Sequence, residues 1–174
     1  PEQARLIDEC AETIWSARRR GAAALLIYGA HLIKNGGQLL LQRLIDHGWI
    51  THLATNGAGT IHDWEFAFHG KTAESVRENV AQGAFGLWEE TGRNINLALL
   101  LGGIRGEGYG RALGRFIQQD GGVLPDPAEL ERQIREDPAH PLAPARAELL
   151  AAMRAHNLRP GPLMALHHYR NASV

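Results

Sequence analysis

The order of residues 23–59 constrains this chain most: a short apolar run, a glycine-bounded helical segment and a second short apolar run. "AAALLIYG" closes on a glycine and has the length of a strand buried on both faces, over 23–28. "GGQLLLQRLIDHG" spaces Leu40, Leu41, Leu44 and Ile45 for a helix, with Gly48 where a left-handed C-terminal residue belongs. "WITHLAT" then reads as the second strand. A strand, a helix and a strand within about 30 residues make a βαβ unit, whose right-handed crossover leaves the two strands parallel.

The second strand runs into "THLATNGAGTIHDWE", residues 51–65, where Asn56-Gly57-Ala58-Gly59 forms a small, bare turn ahead of helix-forming residues. Ligands of open α/β sheets bind at the carboxyl ends of the strands. A glycine turn opening a helix there makes an anion cradle, because backbone N–H groups can approach a phosphate and the helix dipole favours negative charge. The same parts also make an ordinary βα connection, and both readings fit. "GAHLIKNGG" and "TNGAG" become neighbours if the strands pair, so His31, Lys34 and Asn35 would border a phosphate or ribose. His62 and Asp63 stand one turn into the next helix, where an Asp also suits the positive helix end with no chemistry at all.

Elsewhere the pattern is helical. Leu6, Ile7, Cys10, Ile14 and Trp15 form a stripe over 3–19 that should face a core, and Gly21 ends that helix. After Gly59, helices are expected over 60–68, 72–82, 88–104, 107–119, 127–136 and 144–156. No clear third strand precedes "PGPLMALHH", and the proline-rich stretch 121–144 reads as an insertion or linker, a surface loop around a short helix. "GEGYGR" follows a helical run instead of a strand and reads as a helix break. Two strands are few for a doubly wound sheet. The expectation is therefore an α/β, Rossmann-like parallel sheet with flanking helices and a helix-rich second half, the 174 residues being one partial domain excerpted from a longer protein.

Charge excludes some partners. With 18 basic and 19 acidic residues the net charge is -1, no field for nucleic acid, and Arg18-Arg19-Arg20 reads as a solvated helix end. The single cysteine, Cys10, and the absence of a membrane-length apolar run lead to a cytoplasmic expectation without membrane association. Nine histidines, including the adjacent pair His167-His168, lack helical metal-ligand spacing, so no metal site is expected. Glu89 and Glu90 could hold a cationic amine or simply start a helix. Trp64, Phe66, Phe68, Phe85, Leu87 and Trp88 exceed what so small a sheet covers, which points to self-association through residues 60–100, or else to strands beyond Val174 that cover the same residues within one chain.

Residues 29–63 also resemble the deoxyhypusine synthase family, including its bacterial deoxyhypusine-synthase-like members. "GAHLIKNG", "LLLQRLIDHGWITHLATNGAG" and "TIHD" match its small-polar turn, helix and strand, and a glycine turn with an Asp four residues later. "GAFGLWEETGRNIN" extends the similarity over about residues 24–96. The resemblance implies a Rossmann-like fold, a homotetramer and NAD as cofactor. It also implies oxidation and cleavage of spermidine, with aminobutyl transfer through an enzyme lysine. By position, Ala30 and His31 match the first cofactor turn, and Thr55, Asn56, Gly57, Ala58 and Gly59 the second. Ile61 and His62 replace two acidic residues of the eukaryotic enzymes, and the family's imine-forming lysine falls after Val174. His62 and Asp63 are the catalytic candidates within this chain, a neutral imidazole being a suitable general base near neutral pH.

Overall fold

The computed structural model describes residues 2–72, 75–86 and 88–164. The expected interface residue Leu87 and the pair His167-His168 lie outside the described residues. Two compact units divide the chain, with the boundary between Asp63 and Trp64.

In the first unit, α1 (Glu2–Arg19) precedes β1 (Leu25–Ile27), α2 (Ala30–Lys34), α3 (Gln38–Asp46), β2 (His52–Ala54) and the start of α4 (Gly57–His69). β1 and β2 pair in parallel with Leu25 opposite His52 and Ile27 opposite Ala54, as the βαβ spacing requires. The ladder extends at both ends. The Thr51 N–H donates to the Ala24 carbonyl at 2.9 Å, and the Tyr28 N–H to the Ala54 carbonyl at 3.0 Å.

Glycine closes the helices as the sequence predicts. Gly48, at φ +67°, donates its N–H to Ile45 O while Trp49 donates to Leu44 O, which satisfies two terminal carbonyls of α3. Gly21 does the same for α1, with Ala22 reaching back to Ala17 O. Five residues expected to be plain turn instead form α2. Gly37 permits the next helix to start close by, since a Cβ there would lie 2.7 Å from Leu32 O.

Two burial expectations for this unit are corrected. Strand β1 is not covered on both faces, because its sheet has two strands among the described residues and Leu25 and Ile27 are exposed. Helix α1 has no buried residue, so its stripe of Leu6, Ile7, Cys10, Ile14 and Trp15 does not face a core. Its C-terminal end is held by ring contacts: Trp15 stacks on Trp49 at 5.2 Å, and the Arg18 guanidinium lies 4.2 Å over Trp49. Part of the arginine run is thus a cation–π clamp and not a purely solvated face.

The second unit contains the rest of α4, then α5 (Val76–Ala81), α6 (Glu89–Gly103), α7 (Tyr109–Gln118), β3 (Gly121–Leu124), α8 (Pro127–Glu136), α9 (Ala143–Ala155) and β4 (Gly161–Met164). Its core gathers Trp64, Ile95, Leu101, Phe116, Leu149 and Met153 among others. Trp64 is fully buried between Phe68 and Phe116, so its place is inside the chain and not on an interface. Helices α6 and α7 approach closely at Gly102, where a Cβ would collide with that of Ala112. The glycine segment between them is the helix break expected from "GEGYGR", with Gly106 at φ +70°.

Residues 121–144 hold β3 and α8, and both Leu124 and Leu130 lie in the core. β3 is a third strand ahead of β4, contrary to expectation. It pairs antiparallel with β4, Gly122 opposite Leu163, and does not extend the parallel sheet. Asp126 caps α8 by accepting the Ala128 N–H at 2.9 Å, and Pro127 occupies the first turn where a missing N–H costs nothing. The architecture is thus a helix-rich α/β chain with a two-stranded parallel sheet, flanking helices and a separate antiparallel pair. Among the described residues no helix is long and apolar enough to cross a membrane.

Candidate functional site

Parallel pairing brings the carboxyl ends of β1 and β2 side by side, and a cavity of about 400 Å³ opens there. Ile27, Tyr28 and Gly29 line it from the first strand end, and Ala54, Thr55 and Asn56 from the second. The volume falls within the range of about 300–1,000 Å³ typical of small-molecule sites. A larger cavity of about 810 Å³ in the same unit runs along α1 and the strand starts. Its walls include Ile14, Trp15, Leu25 and Trp49, a mainly apolar lining.

Asn56 organises the second turn. Its side-chain Oδ1 and its own carbonyl both accept the Gly59 N–H at 3.0 Å, so it caps α4 from within the chain. Gly57 and Ala58 are exposed residues, and as the first helical positions their N–H groups have no intrahelical carbonyl to receive them. Gly57 opens on free space, with nothing within 4 Å of where a Cβ would stand. Gly59 is the opposite case: it is buried, and a Cβ there would collide with Thr55 Oγ1. One glycine leaves the helix start accessible, and the other lets it fold back onto the strand end.

Tyr28 is the site residue that the sequence reading passed over. Burial pushes its phenol above the ordinary 10.0, the neighbouring Asp63 carboxylate pushes the same way, and a hydrogen bond with the Thr55 hydroxyl opposes them. The phenol therefore stays protonated at neutral pH. Tyr28, Thr55 and Asp63 form one cluster, contributed by the end of β1, the turn after β2 and the second turn of α4. The available signal was a hydroxyl-bearing aromatic closing "LLIYG" just before the first glycine turn.

No known protein family, curated protein or solved structure matches the chain.

Thr55 and Asn56 line the strand-end cavity, and Gly57, Ala58 and Gly59 form the adjoining first turn of α4. Ala30 and His31 open α2 and are not in the cavity lining, His31 being exposed and its carbonyl accepting the Asn35 side-chain amide at 2.7 Å. His62 and Asp63 are both half-buried on α4, and Asp63 is the one that faces the Tyr28 cluster. Glu89 and Glu90 occupy the first turn of α6, and Glu90 lies 3.7 Å from His69. No group of three or more potential metal ligands occurs among the described residues.

Proposed function

We propose that the carboxyl ends of β1 and β2 bind NAD. The carrying observation is the convergence of Tyr28, Gly29, Thr55 and Asn56 on one cavity, beside a helix start whose Gly57 leaves space for a ligand. The residues suit the group. The N–H groups of Gly57 and Ala58, two exposed residues, match a pyrophosphate at the positive pole of α4, and the protonated Tyr28 hydroxyl and the Asn56 amide supply donors for a ribose. When bound, NAD would supply a hydride acceptor. The chain's own residues would orient it, with Asp63 placed to hold a cationic amine nearby.

On this reading the chain is part of a Rossmann-like, deoxyhypusine-synthase-like homotetramer, an NAD-dependent aminobutyl transferase acting on spermidine or a related polyamine. The alternative is an NAD-binding or structural oligomer of the same fold without transferase activity. Neither of the chain's two lysines, Lys34 and Lys71, lines the strand-end cavity, and both readings share the NAD site.

Calorimetric titration with NAD tests the cofactor reading, and absence of binding at millimolar cofactor rejects it. Incubation of the full-length protein with spermidine and NAD separates the two activities: release of diaminopropane supports the transferase, and NAD binding without release supports the second reading.

A further inference from the structure

Helices α6 and α9 leave a cleft of about 700 Å³ within the second unit, remote in sequence from the strand ends. Glu89, Gly92, Arg93 and Asn96 line it from one face of α6, at the spacing of helical neighbours. Gly92 keeps this face low. A glycine inside a helix costs about 1 kcal/mol relative to alanine. Nothing lies within 4 Å of a Cβ built at 92, so no tight packing demands a glycine there, and a larger side chain would enter the cleft.

Two charges in the cleft are unspent. Glu89 and Arg93 stand four residues apart, the spacing at which helical ion pairs form, yet no ion pair joins them and Arg93 has no carboxylate partner among the described residues. Four residues correspond to about 6 Å of helix rise. Beyond them the walls are apolar, with Leu97, Leu100 and Leu158, and His156 at the end of α9 supplies a further polar group.

We propose that this cleft binds a hydrophobic dipeptide or a zwitterion of the same dimensions, its ammonium on Glu89, its carboxylate on Arg93 and its apolar side chains on the leucines. A simple organic acid would face the like charge of Glu89, and a diamine that of Arg93. A hydrophobic dipeptide carries both charges together with two apolar side chains for the leucine walls.

Calorimetry on the intact chain with leucyl-leucine, N-acetyl-leucyl-leucine and leucyl-leucinamide tests the assignment. The free dipeptide should bind saturably, and capping either terminus should weaken it by roughly tenfold or more, the worth of one charge-assisted hydrogen bond. Glu89→Gln and Arg93→Gln should each produce a similar loss. Gly92→Leu should abolish binding while leaving the circular dichroism spectrum intact, since leucine is the better helix former. The proposal is overturned by no saturable binding to folded chain at millimolar dipeptide, by equal binding of the N-acetyl form, or by undiminished binding in Gly92→Leu.

Discussion

Gly59 and Thr55 approach each other so closely that a single methyl on the glycine would collide with the threonine hydroxyl. The contact seats the first turn of α4 against the end of β2, and it is made by side chain to backbone, which makes it testable by paired substitution. Gly59→Ala should destabilise the chain by about 1–3 kcal/mol, the usual cost of overpacking. In a Thr55→Ala background the same change should be close to neutral, because the obstructing hydroxyl is gone. Urea unfolding of the four variants gives the coupling energy directly, and additive effects would refute the contact.

Gly57 should behave differently. Its Cβ position is open, so Gly57→Ala should leave the unfolding midpoint nearly unchanged. Gly57→Val should still fold and should lose NAD binding, because the branched side chain fills the space beside the helix start. Retention of full NAD affinity in the folded valine variant would count against the strand-end site.

The Tyr28 phenol should titrate above pH 10. Its folded-state pKa is raised chiefly by burial, with Asp63 adding in the same direction. Below 10 the tyrosine is protonated in both folded and unfolded chains and contributes no pH dependence. Above 10 the unfolded chain loses this proton first, so stability falls as pH rises toward the folded-state pKa. The difference between ultraviolet titrations of the parent chain and Tyr28→Phe should show a midpoint above 10. Urea midpoints at pH 9 and 11 should fall less in Tyr28→Phe than in the parent.

Trp64 anchors the core of the second unit between Phe68 and Phe116. Trp64→Ala should cost about 3–5 kcal/mol by the loss of transfer energy and the cavity left behind. Trp15, 44% exposed and held mainly by its stack on Trp49, should tolerate alanine at a much smaller cost. Chemical unfolding followed by far-ultraviolet circular dichroism distinguishes the two, and comparable losses would contradict the burial pattern.

Self-association should draw on the apolar residues that the chain leaves outside its core. Phe85 and Trp88 are exposed within residues 60–100, whereas Trp64 is not available. Light scattering at micromolar concentration should show a dimer or tetramer that Trp88→Asp weakens. A monomeric parent chain would reject the interface.

Local chemistry was legible in the sequence wherever a few consecutive residues decide the outcome. The helical stripe over 38–46, the glycines that end α1 and α3 and the parallel pairing forced by a short crossover depend on near neighbours, and they stand where the pattern puts them. The start of α4 was legible in part: Asn56 caps it within three residues of itself, while Gly57–Gly59, expected as a bare turn ahead of the helix, are its first turn. Distant pairing was not. β3 is "GGVL", whose glycines weaken any strand signal, and it is a strand because β4 lies beside it some forty residues later. Burial was equally hidden, since Trp64 and Trp88 look alike in sequence and only packing sends one to the core and leaves the other exposed. The cluster of Tyr28, Thr55 and Asp63 belongs to this second kind: its members come from three elements, and only the tertiary structure brings their side chains within electrostatic reach.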